Sequence, residues 1–290
     1  MASLVPRSKS MSDPIRLGIF GWPVAHSKSP QMHESAARAL GLALRYERFA
    51  VEPDGLAKAV RAKHAAGIDG YNLTVPHKQA IMALLDEVAP TARAIGAVNT
   101  VVRGDDGYVG HNTDAAGFVR SLREAGVNLQ GARVAVVGAG GAARAGVVGL
   151  ADAGAAAMTI LSRRPEQAKG LVASLGGHVR CPLDAAPLGN ATACFGSATL
   201  LVQATSATLE SNPGASEFAA SLPIEALPSE AAVVDMVYQP LRTTVLERAE
   251  QLGLTTVDGL GMLLHQGAIA FEMWTGFEPP IDVMRAALED

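Results

Sequence analysis

Short apolar runs alternate with helix-length amphipathic stretches along nearly the whole chain, and this alternation constrains the fold more than any other feature. Each helix that connects two such runs is laid against a sheet face, so the pattern specifies an α/β protein with a mostly parallel sheet covered on both sides. Residues 15–20, 44–51, 68–74 and 97–103 read as strands. Ser29 can cap a helix that Pro30 opens and that runs to about Leu40. Residues 53–66 read as a second helix, and Thr113 or Asp114 caps another running to about Ala125. The pattern restarts at Arg133. Residues 134–137 form a fully apolar strand, 138–141 a turn, and an Ala-rich helix follows to about Ala153. Residues 158–162, 200–204 and 232–236 are further strands. The polar stretch 208–223 predicts a long surface loop near the sheet edge, and 259–289 predicts a helical tail apolar enough to pack. Two α/β domains follow, with a boundary near residues 112–130.

Composition narrows the class of function. Hydrophobic residues are 49% and charged residues 18% of the chain, enough to fill a core and too apolar for disorder. Aromatics are only 4%, so that core must consist of Ala, Val, Leu and Ile. Lys and Arg number 24 against 28 Asp and Glu, a net charge of -4 that argues against a nucleic-acid partner. Cys181 and Cys194 are the only cysteines, which points to a reducing compartment and excludes a thiolate zinc site. No stretch reaches the roughly 20 apolar residues of a membrane span. A cytoplasmic protein with no membrane partner is expected, a monomer or a homodimer. Leu4-Val5-Pro6-Arg7-Ser8 reads as a protease-site remnant, and residues 1–12 are set aside.

The most specific local signal is Gly138-Ala139-Gly140-Gly141-Ala142-Ala143, between a buried strand and a helix. Glycines there let backbone N–H groups approach a pyrophosphate at the positive end of the helix. The next strand ends in Ser162-Arg163-Arg164. A site for NAD usually has an acidic residue here for the ribose 2′-hydroxyl, whereas two guanidinium groups suit a 2′-phosphate. NADP is therefore the expected cofactor. Upstream, polar residues gather where strands end: Ser27, Ser29, Asn72, Thr74, Lys78, Asn99, Asn112, Thr113 and Asp114. Hydroxyls, amides, one ammonium and one carboxylate suit a small polyhydroxylated ligand. The histidines have no metal-ligand spacing, so no metal is expected.

Gly21-Trp22-Pro23-Val24-Ala25-His26-Ser27-Lys28-Ser29-Pro30 resembles the G-x-P-x-x-H-S-x-S-P signature of the shikimate dehydrogenases. Gly70 to Lys78 is similar to that family's G-x-N-V-T-x-P-x-K. Gly96-Ala97-Val98-Asn99-Thr100 and Gly110-His111-Asn112-Thr113-Asp114 match its G-A-V-N-T and G-x-N-T-D. Asp235 to Pro240, and Asp258 to Leu263 followed by Gln266, match its late motifs. The resemblance implies an N-terminal α/β substrate domain, residues 13–114 plus 258–290, and a Rossmann-type NADP domain, residues 115–257. It implies the reversible reduction of 3-dehydroshikimate to shikimate in aromatic amino acid biosynthesis. By position, Ser27 and Ser29 would hold the substrate carboxylate. Asn72, Thr74, Asn99, Asp114, Tyr238 and Gln266 would contact the rest of the substrate. Lys78 would be the acid/base. Gly138, Ala139, Gly140, Gly141 and Ala142 would cradle the pyrophosphate, and Ser162, Arg163 and Arg164 the 2′-phosphate. Thr205, Met236, Gly259 and Met262 would complete the cofactor site.

Three departures stand out. Ser162 replaces the usual Asn, Gln203 opens what is usually Asn-Ala-Thr-Ser, and His77 replaces a common Phe. A hydride arriving at a ketone carbon leaves an alkoxide that needs a proton or an adjacent cation. Lys78 can supply both, oriented by Asp114. A quinate or dual quinate/shikimate dehydrogenase, or an aminoshikimate-pathway paralogue, is the alternative within the superfamily.

Overall fold

The computed structural model describes residues 14–289, so the protease-site reading of residues 1–12 lies outside the described residues. The chain forms two compact units, one running up to Thr113 and resuming at Leu264, the other Asp114–Leu263.

The first unit contains β1 (Ile15–Gly21), α1 (Ser29–Ala39), β2 (Leu44–Ala50), α2 (Leu56–Ala65), β3 (Gly70–Leu73), β4 (Glu87–Val88), α3 (Pro90–Ile95), β5 (Thr100–Arg103) and β6 (Tyr108–His111). Its six-stranded sheet has the order β2-β1-β3-β5-β6-β4. The β1–β2, β1–β3 and β4–β6 pairings are parallel, and β5 lies antiparallel to both β3 and β6. Parallel pairing dominates, as the alternation predicts. The antiparallel β5–β6 pair is joined by the turn Gly104–Gly107, where the Gly104 N–H donates to the Gly107 carbonyl at 2.7 Å. Pro30 occupies the first turn of α1 and Met32, His33, Ala36 and Ala37 share its buried face. Ser29 does not cap this helix. Lys28 is the N-cap and Ser29 is already helical, which points its hydroxyl elsewhere. Asn99 also lies one residue before β5 rather than within it.

The second unit contains α4 (Asp114–Glu124), β7 (Arg133–Val137), α5 (Gly141–Asp152), β8 (Ala157–Ser162), α6 (Pro165–Leu175), β9 (Leu183–Pro187), α7 (Ala191–Phe195), β10 (Leu200–Gln203), α8 (Ala215–Ser221), β11 (Ala232–Asp235), α9 (Thr244–Gln251) and β12 (Thr255–Val257). The sheet order is β12-β11-β10-β7-β8-β9, and every pairing is parallel. Numbered from β7, this is the doubly wound order 3-2-1-4-5-6 of the Rossmann fold. Val137, Leu161, Leu201 and Val233 pack on Phe195, Val245 and Leu246 under one sheet face. The stretch expected to be one surface loop, 208–223, instead carries α8, because Ala219 and Leu222 are apolar enough to join that core.

Helices α10 (Leu260–Thr275) and α11 (Ile281–Glu289) complete the chain, the helical tail being broken at Gly276. Within the first unit, Trp274 donates its indole N–H to the Val101 carbonyl at 2.9 Å, and α11 packs on α1. Among the described residues, no helix is long and apolar enough to cross a membrane.

Candidate active site

In the first unit Asn72, Asn99, Thr113 and Gln266 come together beside β3. β3 carries Asn72 into a buried position, and its carboxamide bridges two segments. Asn72 Nδ2 donates to the Asn99 carbonyl and to Thr100 Oγ1, both at 3.0 Å. Its Oδ1 accepts from the Tyr46 hydroxyl at 2.6 Å. Asn99 is fixed in turn. Its Nδ2 donates to Thr113 Oγ1 at 2.9 Å and to Gln266 Oε1 at 3.2 Å, while its Oδ1 accepts from the Thr113 N–H at 2.7 Å. Gln266, on α10, thus meets Asn99 across a sequence separation of 167 residues. Asn72, Asn99, Thr100, Thr113 and Gln266 are all buried, so these pairings satisfy groups that would otherwise be costly to desolvate.

Ser27 lies on the turn into α1 and Ser29 is the first residue of that helix; both are buried, with the Ser29 N–H donating to Ser27 Oγ at 3.3 Å. The Arg48 guanidinium grips the Ser27 carbonyl from Nε and from a terminal nitrogen at 3.1 and 2.6 Å. Lys78 is half-buried beyond β3, and its carbonyl accepts from the Val98 N–H at 2.8 Å, which ties its loop to the Asn99 segment. Thr74, also half-buried, donates its N–H to the Phe20 carbonyl at 2.9 Å. His77, in place of the common Phe, is buried and donates Nε2–H to the Val51 carbonyl at 2.7 Å. Asn112 turns its amide back onto the Ala97 carbonyl at 3.0 Å.

In the second unit, Gly138 follows β7 with φ +121°, a conformation L side chains rarely adopt. A Cβ there would stand 2.9 Å from Thr205 Cγ2 and 3.0 Å from the Ala204 carbonyl oxygen. Gly140, two residues on, faces open space, with no atom within 4 Å of its Cβ position. No side chain caps α5, whose N-terminal N–H groups point the same way. Ser162 ends β8, and Arg163 and Arg164 follow it; both arginines are exposed, and Ser162 Oγ accepts from the Arg164 N–H at 3.1 Å. This cradle fits a dinucleotide phosphate: an open glycine, uncapped donors at the positive helix end, and guanidinium groups at the next strand.

Gln203 explains its own departure from the family pattern. Its Nε2 donates to the Thr205 carbonyl, Thr208 Oγ1 and Asp235 Oδ1 at 3.0, 2.8 and 3.0 Å, and its Oε1 accepts from the Thr205 N–H at 2.6 Å. Burial pushes the Asp235 carboxyl up, against hydrogen bonds from the Val237 N–H, Thr243, Thr208 and Gln203. Those bonds pin the segments bearing Thr205, Met236 and half-buried Tyr238. Gly259 lies against Met236, whose carbonyl oxygen would be 2.5 Å from an added Cβ. Met262 is buried in α10, and Asp114 is buried at the start of α4. Among the described residues no group of His, Cys, Asp or Glu gathers as a metal site.

Three family profiles match in chain order: the shikimate dehydrogenase substrate binding domain over residues 19–101, shikimate/quinate 5-dehydrogenase over 121–222, and the shikimate 5′-dehydrogenase C-terminal domain over 259–289. A shikimate dehydrogenase (NADP(+)) of Symbiobacterium thermophilum is 46% identical over 97% of this chain and 96% of its own length. The chain belongs to the shikimate dehydrogenase family. The crystal structure of the Thermus thermophilus shikimate 5-dehydrogenase in complex with NADP(H) and shikimate superposes with a TM-score of 0.81 at 39% identity, covering 95% of this chain and 98% of that one. A quinate dehydrogenase of Corynebacterium glutamicum in complex with NAD superposes with a TM-score of 0.85 at 33% identity, covering 95% and 98%.

Beyond the residues that carry the family motifs, the candidate site of this shikimate dehydrogenase family member includes one that sequence reasoning did not single out, Tyr46. Tyr46 could have been found. In β2 it is the one buried residue, set between charged neighbours Arg45 and Glu47. Thr100 and Thr113 stand in the quoted motifs, but their contact could not be read there, because only the β5–β6 pairing brings their hydroxyls 3.1 Å apart.

Proposed function

We propose that this chain reduces 3-dehydroshikimate to shikimate with NADPH, and runs the reverse reaction with NADP, using Lys78 as acid/base and Asp114 to hold its ammonium. The observation that carries this reading is the convergence of Asn72, Asn99, Thr113 and Gln266, remote in sequence, in one set of buried amides and hydroxyls in the first unit. Such a set recognises a ring that bears a carboxylate and several hydroxyls. Ser27 and Ser29 take the carboxylate. Asn72, Thr74, Asn99, Tyr238 and Gln266 take the hydroxyls.

NADPH supplies a hydride when bound. Gly138 to Ala142 hold the pyrophosphate, Ser162, Arg163 and Arg164 hold the 2′-phosphate, and Thr205, Met236, Gly259 and Met262 flank the nicotinamide. As the ketone carbon gains a hydride its oxygen becomes anionic, and the Lys78 ammonium stabilises that charge and donates a proton to it. Asp114 keeps the amine aimed at that oxygen. In the reverse direction the neutral amine removes the hydroxyl proton. We assign this chemistry to the cytoplasm, in keeping with two cysteines that are both unbridged.

The likeness to a quinate dehydrogenase that was solved with NAD favours one rival, an enzyme that prefers quinate and NAD. A single kinetic comparison decides, using wild type and Lys78→Ala with shikimate or quinate and NADP or NAD. Shikimate with NADP should give the highest kcat/KM, and Lys78→Ala should lower kcat by at least about 100-fold with little change in KM. Preference for quinate with NAD, or an undiminished kcat in the variant, overturns the reading.

A further inference from the structure

Ser27, assigned above to the substrate carboxylate, lies in a stretch, residues 22–28, that belongs to no strand or helix. The order of this stretch therefore comes from individual hydrogen bonds, and several meet at Ser27. Its N–H donates to the Val24 carbonyl at 3.1 Å and closes a turn. Its carbonyl accepts twice from one guanidinium, from Arg48 Nε at 3.1 Å and from a terminal nitrogen at 2.6 Å. Its Oγ accepts from the Ser29 N–H at 3.3 Å.

Each bond removes one freedom. With the N–H tied on one side and the carbonyl on the other, both peptide planes that flank the Ser27 Cα are set, and so is the direction of its Cα–Cβ bond. Only the side-chain rotamer is left, and the bond from the Ser29 N–H selects it. A hydroxyl oxygen that accepts from an N–H keeps its own proton, so Ser27 remains a donor for an anion. The bond to the carbonyl comes from outside the turn. Arg48 stands on β2 opposite Ile19, in a parallel register that holds from Ile15 and Leu44 to Gly21 and Ala50. The guanidinium thus passes the fixed position of a sheet to a turn that has no ladder of its own. Two bonds to one oxygen hold its direction as well as its distance, which a single ammonium cannot do. Arg48 is exposed along its strand, so core packing does not call for it.

We propose that Arg48 is a positioning residue for substrate recognition: through the Ser27 carbonyl it aims the Ser27 hydroxyl at the carboxylate of the ligand, without touching the ligand itself. With the fork gone, the peptide between Ser27 and Lys28 is free to turn, and the hydroxyl meets a carboxylate in only some of its orientations. The ligand class that depends on Arg48 is a carboxylated ring. The loss falls on affinity and spares the chemical step, in which the carboxylate takes no part. The inference rests on the assignment of the carboxylate to Ser27 made above.

The test is a double-variant cycle on the full chain, with shikimate Kd measured by titration calorimetry for wild type, Arg48→Ala, Ser27→Ala and the double variant, and for Arg48→Lys beside them. Ser27→Ala keeps the backbone carbonyl for Arg48 to grip and removes only the hydroxyl it aims. Arg48→Ala should weaken shikimate at least about fivefold in the wild-type background and less than about twofold in the Ser27→Ala background. Arg48→Lys keeps the charge and loses the fork, and should bind at least about threefold more weakly than wild type. In steady state, Arg48→Ala should raise the KM for shikimate at least about fivefold, with kcat and the Kd for NADP each within about twofold of wild type. An equal loss in both backgrounds, or full affinity in Arg48→Lys, would mean that the charge itself attracts the carboxylate, and overturns the proposal. Wild-type affinity in Arg48→Ala, or a fall in its kcat at unchanged KM, overturns it as well. Thermal melting checks that each variant is folded, and Arg48→Met replaces Arg48→Ala if the latter is not. Shikimate bound equally by Ser27→Ala and wild type refutes instead the assignment of the carboxylate to Ser27, and this role with it.

Discussion

Burial sets the chemistry of His33 far from its free form. Burial without any hydrogen-bond partner lowers its pKa from 6.5 to about 3, so the folded protein holds it neutral. The unfolded chain would protonate it below about pH 6.5, which the folded chain resists until about pH 3. Stability attached to this residue is therefore intact above the upper value and drains away as pH falls toward the lower one, by up to about 1.4 kcal/mol per pH unit. Denaturant midpoints measured from pH 7 to pH 4 should show this acid slope in wild type. His33→Phe, which preserves the aromatic stack, should flatten it. An unchanged slope would remove His33 as its source. Residue by residue, the sequence exposes groups that carry a motif, such as Lys78 and Asn72. It hides groups whose value lies in a partner. Tyr46 matters because β2 sets it beside His33 and Asn72, and Gln203 because it joins Thr205, Thr208 and Asp235.

Legibility at the scale of elements follows how local their causes are. The strand, turn and helix β7–Gly138–α5 could be read directly, since apolar run, glycines and alanines follow one another in sequence. The two-residue β4 and the three-residue β12 could not, because both are strands only through pairing with β6 and β11. The helix α8 hid inside a polar stretch because its buried face is small. The glycine turn itself separates folding from binding within three residues. Gly138→Ala places a Cβ at a positive φ and against Thr205 and Ala204, so it should lower the melting temperature as well as NADP affinity. Gly140→Ala meets no protein atom and should leave the melt nearly unchanged. Its methyl would nonetheless stand in the space proposed for the pyrophosphate, so NADP affinity should drop about tenfold or more, an amount that steric exclusion at a backbone-lined cradle readily reaches. Thermal shift and fluorescence titration of the two variants separate these effects. Equal melts with equal affinities would show that the turn does not receive the cofactor.

Across the whole molecule, the chain leaves one compact unit at Thr113 and returns to it at Leu264, having built a complete doubly wound sheet in between. Composition and periodicity reveal two α/β domains but not this return. The return depends on the docking of α10 and α11, through contacts such as Gln266 to Asn99, Trp274 to Val101 and α11 to α1. Each unit has its own core, so each ligand should stabilise chiefly the unit that binds it. A ligand that binds only the native state lowers the population of open states in proportion to its concentration over Kd. Hydrogen exchange followed by mass spectrometry reads this peptide by peptide. Shikimate alone should slow exchange in α1, in β3 and in the part of α10 around Gln266. NADP alone should slow exchange over residues 138–142, 162–164 and 205–208. The peptide spanning Gln266 is decisive, because the whole second unit separates it in sequence from the rest of its own unit. Protection there by shikimate greater than any NADP gives through Met262, one turn earlier on the same helix, means that α10 completes the substrate unit. Protection by NADP alone would assign α10 to the cofactor, and the division of labour between the two units would have to be redrawn.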